Sequence, residues 1–211
     1  VDDQKRIEQE KDDFLSIASH ELKTPLTSIK AYTQLLERKL KQNEENSDLV
    51  YVKKTLEQIE KLNSLITDLL DVSKIENGKL KINKKPENLE LVIQNAIETI
   101  LHTNSTDIKI ERHGMQPDFV IAFDKIRIEQ VLINFLSNAI KYSPKNNQII
   151  VTTFWDEKEV RISVTDFGIG IPDFKQEYVF HKFYRVEESS LQFQGMGIGL
   201  YICSEIIKQH H

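Results

Sequence analysis

The sequence predicts a two-part chain: a helical hairpin that pairs with a second copy into a four-helix bundle, followed by an α/β sandwich domain. Three observations carry this. All seven glycines lie at or beyond Gly78, five of them between Gly168 and Gly199. Two long apolar stripes of helical period fill the first third, where Pro25 is the one proline. After Gly78, helical patterns alternate with period-two strand patterns. A length of 211 residues allows one or two domains at about 100–200 residues each, and the shift in composition favours two. We set them at residues 1–80 and 81–211, with Pro86 as a marker of the boundary.

The first stripe runs Phe14, Ala18, Leu22, Ile29, Tyr32, Leu36, Leu40, and the second Val52, Leu56, Ile59, Leu62, Ile66, Leu69, Val72. The polar connector KQNEENSDL between them makes the helices antiparallel neighbours. A lone hairpin cannot cover both stripes, so a homodimer is expected, with packing against the second domain as the other solution. Beyond Gly78 the pattern reads as a short strand at Lys79–Ile82, a helix through Leu91, Val92, Asn95, Ala96 and Ile100, and strands at Ile108–Arg112 and Phe119–Phe123. A helix over Asp124–Tyr142, strands at Gln148–Trp155 and Glu159–Thr165, a glycine-rich segment and a helix over Ile198–Gln209 complete the order.

Bulk composition removes several classes. Charged residues make up 29% and hydrophobic ones 39%, as in ordinary globular proteins. A net charge of −5 disfavours a polycationic nucleic-acid binder. The single Cys203 forms no internal disulfide, which fits a reducing, cytoplasmic compartment. No apolar run approaches the roughly 18 residues of a membrane span, so no membrane contact by this stretch is expected. The opening VDDQKRIEQEKDDF reads as the inside of a helix, so any anchor is expected upstream of residue 1.

At about 100° per residue, with Phe14 at 0°, the first stripe centres near 50°. His20 then falls near 240°, opposite the stripe, with Thr24 near 280° and Glu21 near 340°. His20 is therefore expected to be exposed beside a carboxylate and a hydroxyl. A zinc hydrolase fails on this pair, because the position four residues after His20 is Thr24 rather than a second histidine. Three further constellations carry chemistry. Asn134 and Asn138 share a helical face, with Lys141 on the next turn. Amide oxygens suit a hard cation and a lysine suits phosphate, although two solvated asparagines near a helix end have the same spacing. Asp166-Phe-Gly168-Ile-Gly170 ends a strand, where an aspartate can accept a hydrogen bond from an exocyclic amine and glycines admit a ligand; a simple turn is the alternative. Gly195-Met-Gly197-Ile-Gly199 runs into a helix and offers free N–H groups to an anion. The polar segment Val186–Gln194 before it has the character of a lid.

These segments resemble a family. Phe14-Leu-Ser-Ile-Ala-Ser-His20-Glu-Leu-Lys-Thr-Pro-Leu-Thr-Ser-Ile is similar to the phosphoacceptor region of sensor histidine kinases, and Asn134-Phe-Leu-Ser-Asn138-Ala-Ile-Lys141-Tyr142-Ser to their N box. Asp166–Gly170 resembles the G1 box, Phe180-His-Lys-Phe183-Tyr-Arg185 the F box, and Gly195–Leu200 the G2 box. The resemblance implies a dimerisation and phosphotransfer hairpin followed by a Bergerat-type ATP-binding domain. His20 would attack the γ-phosphate of ATP and pass the phosphoryl group to a response regulator's receiver-domain aspartate. Glu21 would hold or deprotonate the opposite ring nitrogen, and Thr24 would orient water for a phosphatase activity. Asn134, Asn138 and Lys141 would hold Mg²⁺ and the triphosphate, and Asp166 the adenine amine, with Gly168 and Gly170 beside it. Tyr142 would lie near the nucleotide, Gly195, Gly197 and Gly199 would form the lid hinge, and Arg185 would assist at the γ-phosphate.

The family's final helix is followed by a glycine-rich hairpin, whereas here the sequence stops at Lys208-Gln-His-His211. The ATP-binding domain is thus expected to be truncated at its C-terminus. A catalytically silent, nucleotide-binding dimeric relay is the alternative function for the truncated form. Another Bergerat ATPase, of the chaperone or topoisomerase kind, is disfavoured by the hairpin that carries His20-Glu-Leu-Lys-Thr-Pro.

Overall fold

The computed structural model describes the backbone of residues 2–42, 48–103, 108–114, 119–186 and 195–210, and the side chains of these except 2–15, 41, 42 and 48. The chain divides into two compact units, residues 1–78 with 194–198, and residues 79–193 with 199–211. No helix among the described residues is long and apolar enough to cross a membrane.

The first unit is a helical hairpin of α1 (Asp2–Gln42) and α2 (Asp48–Glu76). The helix α1 continues through Pro25. Antiparallel packing is visible in two cation–π contacts, Lys54 Nζ at 5.8 Å or less from the Tyr32 ring centre (5.7 Å) and Lys39 Nζ at 5.8 Å from that of Tyr51. The hairpin buries little of its stripes. Among their described side chains Ala18 and Val72 are buried, but Leu40, Leu56 and Ile66 remain exposed by more than 40%, as do Leu26, Leu35 and Leu70 outside the stripes. The side chain of Phe14 and the connector at residues 43–47 lie outside the described residues.

The second unit is an α/β domain. In chain order it holds β1 (Lys85–Asn88), α3 (Leu89–Thr103), β2 (Lys109–His113), β3 (Val120–Phe123), α4 (Lys125–Lys141), β4 (Gln148–Trp155), β5 (Val160–Asp166), a single turn α5 (Asp173–Gln176) and α6 (Gly199–His210). β2 runs parallel to β4, with Ile110 opposite Ile149. β5 runs antiparallel to β4 on its other side, with Val151 opposite Val164. β1 and β3 form a separate antiparallel pair. Alternation along β4 sends Ile149 and Val151 into a core shared with Val92, Ile93, Ala96 and Ile100 of α3 and Leu132, Leu136 and Ala139 of α4. α6 packs on α4 and buries Ile202, Cys203 and Ile206.

Three features differ from expectation. The strand expected at Lys79–Ile82 does not form; pairing starts at Lys85, opposite Phe123. The Asp124 carboxylate accepts the Asn83 N–H at 2.8 Å instead. Pro86 lies inside β1, where a strand paired on one side alone tolerates a missing N–H. The single-turn α5 carries no sequence periodicity and was not expected. Third, His210 belongs to the fold. Its Nε2 accepts the Asp124 N–H at 3.0 Å, and its Nδ1 lies 2.8 Å from the Ile206 carbonyl, so the ring is held as the neutral Nδ1–H tautomer. Asp124 in turn caps α4 by accepting the Arg127 N–H at 3.2 Å.

A charged pair lies inside the domain. Arg112 of β2 grips Glu90 of α3 through two bonds, Nε to Oε1 at 3.1 Å and Nη2 to Oε2 at 2.6 Å. The same Nη2 reaches the Thr153 hydroxyl at 2.6 Å, which accounts for a polar residue at a buried position of β4. Glu90 is 5% exposed, so removing it strands a guanidinium out of water. Glu90→Ala is expected to cost about 3–5 kcal/mol in urea unfolding, whereas Glu90→Gln, which keeps one acceptor, costs less.

Candidate active site

The candidate site has two parts, described separately. In the hairpin, His20 is exposed, as the helical arithmetic expects. Thr24 is half-buried, and its hydroxyl donates to the His20 carbonyl at 3.0 Å, leaving its lone pairs available. Glu21 departs from expectation. It is 8% exposed rather than standing in solvent beside the histidine, and no described residue pairs with its carboxylate. The reason is angular: at about 70° from the centre of the stripe, Glu21 lies on the margin of the covered face, which is wider than the stripe itself.

Sequence reasoning missed an acidic pair on α2. The alignment set by the Tyr32–Lys54 and Tyr51–Lys39 contacts places Asp68 at the axial level of His20. Burial, and then the neighbouring Asp71 carboxylate, raise the Asp68 carboxyl from 3.8 to about 6. Asp71 is itself 1% exposed and faces Lys74 at 3.7 Å. The second stripe was read for its apolar members, and two aspartates three residues apart carry no signal of burial in sequence.

In the α/β domain, a cleft of about 360 Å³ opens between the C-terminal half of α4 and the segment after β5. It is the size of a small-molecule site. Of the expected residues, Asn138, Tyr142, Asp166 and Gly170 line it, together with Phe135, Val164, Ile169 and Leu200. The last four were not anticipated; they give the cleft an apolar wall suited to a flat ring. Asn134 joins the site from one turn away, its Oδ1 accepting from Asn138 Nδ2 at 2.9 Å. Gly199, at the start of α6, lies against that same amide, so that a Cβ there would collide with Asn134 Nδ2. Lys141 turns over the Tyr142 ring, 4.9 Å from its centre. Burial pushes the Tyr142 phenol up, while the nearby Arg185 guanidinium opposes the rise.

Asp166 closes β5. Its Oδ1 accepts from the Gly168 N–H at 2.8 Å and from the Ser143 hydroxyl at 3.2 Å. Gly168 is required sterically, since a Cβ would run into the Tyr142 carbonyl and the Ser143 hydroxyl. The F-box segment forms tight turns, with Tyr178 edge-on to His181 and Phe183 in the left-handed region at φ 66°. Gly195 and Gly197 group with the first unit and do not line the cleft. Most of the expected lid, residues 187–194, lies outside the described residues. Among the described residues no three His, Cys, Asp or Glu side chains converge on a metal site.

Comparison with known proteins agrees with the two-part architecture. Residues 10–78 match the His Kinase A (phospho-acceptor) domain model, and residues 123–211 match that of the histidine kinase-, DNA gyrase B- and HSP90-like ATPases. The chain belongs to the sensor histidine kinases. It is 32% identical over 213 residues to the sensor histidine kinase WalK of Bacillus subtilis, covering all of this chain and 35% of that protein. It is 31% identical over 202 residues to the signal transduction histidine-protein kinase ArlS of Staphylococcus haemolyticus, covering 93% of this chain and 43% of the relative. The chain thus spans less than half the length of either. Among solved structures, the Acinetobacter baumannii histidine kinase AdeS aligns with a TM-score of 0.63 at 25% identity, over 90% of this chain and 86% of that one. Full-length ShkA in complex with AMPPNP aligns at 0.61 and 25% identity, over 92% and 40%.

Two outcomes follow from these contacts. The folded-state pKa of Asp68 lies above its unfolded value, so its contribution favours folding at low pH and is lost as pH rises through about 6. Asp68→Asn is therefore expected to stabilise the hairpin by up to about 3 kcal/mol at pH 8, with the advantage closing below about pH 4, in thermal melts across that range. Gly199→Ala is expected to displace the Asn134 amide and weaken ATP binding about tenfold, equivalent to 1.4 kcal/mol. Its unfolding midpoint should stay near that of the wild type.

Proposed function

We propose that this chain is the catalytic core of a homodimeric cytoplasmic kinase that phosphorylates His20 from ATP and passes the phosphoryl group to the aspartate of a response-regulator receiver domain. The observation that carries the proposal is the exposed His20 within the matched phosphoacceptor domain, in a chain whose ATPase domain holds a cleft of fitting chemistry. One imidazole nitrogen attacks the γ-phosphorus. The P–N bond forms as the bond to the β-γ bridging oxygen breaks, and ADP leaves. Exposure is a requirement of this chemistry, because the same nitrogen must meet a nucleotide and then a second protein. The buried carboxylate of Glu21 is the group assigned to steady or deprotonate the other ring nitrogen.

The residues of the cleft fit a nucleotide. Asp166 offers an acceptor for an adenine amine, and Phe135, Val164 and Leu200 offer an apolar wall for its ring. Asn134 and Asn138 present neutral oxygens on one helical face, which suits a Mg²⁺ ion whose remaining ligands are phosphate oxygens and water. Bound there, Mg²⁺ would neutralise charge on the phosphates. Lys141 is assigned to the phosphate chain, Arg185 to the γ-phosphate, Tyr142, Gly168 and Gly170 to the edge of the nucleotide, and Gly195, Gly197 and Gly199 to the lid hinge. Phosphoryl transfer is largely positioning and charge neutralisation, so it does not call for a strong base beside the cleft. Thr24, beside His20, is assigned to water in the reverse, phosphatase direction. Homodimerisation is supported by the apolar residues that the hairpin leaves exposed, among them Leu26, Leu56 and Leu70 at more than 50%.

Incubation with γ-labelled ATP and Mg²⁺ is expected to label the wild type through a bond that is acid-labile and base-stable, and to leave His20→Ala unlabelled. Label that survives acid, or that persists in His20→Ala, would overturn the proposal.

A further inference from the structure

We infer that Ser143 is a positioning residue that fixes the Asp166 carboxylate and thereby sets the preference of the site for a 6-amino over a 6-oxo purine. The inference rests on the nucleotide-binding proposal above and adds to it a residue that does not itself line the cleft.

Ser143 directly follows Tyr142, the C-cap of α4, and is 4% exposed. Its hydroxyl donates to Asp166 Oδ1 at 3.2 Å, and the Gly168 N–H donates to the same oxygen at 2.8 Å. The Ile169 N–H completes the contact by donating to the Tyr142 carbonyl at 3.1 Å. Two hydrogen bonds thus hold the end of α4 to the end of β5 and its loop, and the third closes that loop on Asp166. The close approach of Gly168 to Tyr142 and Ser143 leaves the loop no slack.

The consequence falls on the other oxygen of Asp166. With Oδ1 taken by two donors, rotation of the carboxylate is blocked, and Oδ2 has no protein donor among the described residues. Asp166 lines the cleft, so Oδ2 is the acceptor left for a ligand. An ionised carboxylate accepts and cannot donate. It therefore rewards an exocyclic amine on a purine ring and repels a carbonyl oxygen at the same position. Without the Ser143 hydroxyl, one of two anchors is gone and the carboxylate can turn, lowering the reward for the amine and the penalty for the carbonyl together.

The test is equilibrium binding of ATP and of inosine triphosphate, its 6-oxo counterpart, to the full chain and its variants, by displacement of a fluorescent ATP analogue. Ser143→Ala is expected to weaken ATP about tenfold, the size of a hydrogen bond to a charged group, and to leave inosine triphosphate no weaker or slightly tighter, so that the ratio of affinities collapses. Ser143→Thr, which keeps the hydroxyl, is expected to restore the ratio. Should Ser143→Ala fail to fold, the near-isosteric pair Ser143→Thr and Ser143→Val carries the same comparison. A purely structural role would weaken both nucleotides alike. Equal losses, or an unchanged ratio, would therefore overturn the assignment of Ser143 while leaving nucleotide binding intact. A wild type that binds neither nucleotide would overturn the underlying proposal and this inference with it.

Discussion

The α/β domain depends on how α4 is held. One face of this helix buries Leu132, Leu136 and Ala139 in the core, and Asn134 and Asn138 occupy another. Both ends are tied to distant parts of the chain. At the N-terminal end, Asp124 caps the helix, receives the Asn83 N–H and gives its own N–H to His210. At the C-terminal end, Tyr142 and Ser143 are bonded to the loop that carries Asp166 and Gly168. A helix packed on one side and pinned at both ends cannot slide or turn, so the two amides keep a set position relative to the Asp166 carboxylate. Phosphoryl transfer needs that rigidity, because misplacement of a reacting group by about 1 Å costs on the order of a hundredfold in rate.

The hairpin is built for the opposite purpose. It is a rod with few buried side chains, much exposed apolar surface and one outward histidine. Many of its apolar side chains stay outside an internal core, and His20 stands exposed. Burying Asp68 beside Asp71 on α2 runs against stability at neutral pH, since a poorly solvated place and a neighbouring carboxylate both raise its cost of ionisation. Such placements concentrate where chemistry occurs, and these lie at the axial level of His20.

Much of this was legible in the sequence, for identifiable reasons. Helices and strands declare themselves by period, and β4 and α4 fall within a residue of the expected bounds because their apolar patterns are long and unbroken. Glycine-rich turns and paired asparagines are likewise local signals, so Asn138, Asp166 and Gly170 were found before the cleft was seen. Short elements were not legible: Lys79–Ile82 alternates like a strand but has no partner, and pairing begins six residues later, at Lys85.

The sequence by itself determined the order of elements, the two-part architecture, the outward placement of His20 and the type of chemistry, because each depends on residues within a few turns of one another. Tertiary structure alone decided the raised pKa of Asp68, the service of His210 as a tie to α4, and the grip of Ser143 on Asp166. The last two join residues 86 and 23 positions apart. No periodicity connects such positions, and a hydroxyl or an imidazole acquires its role when the fold brings its partner within about 3 Å.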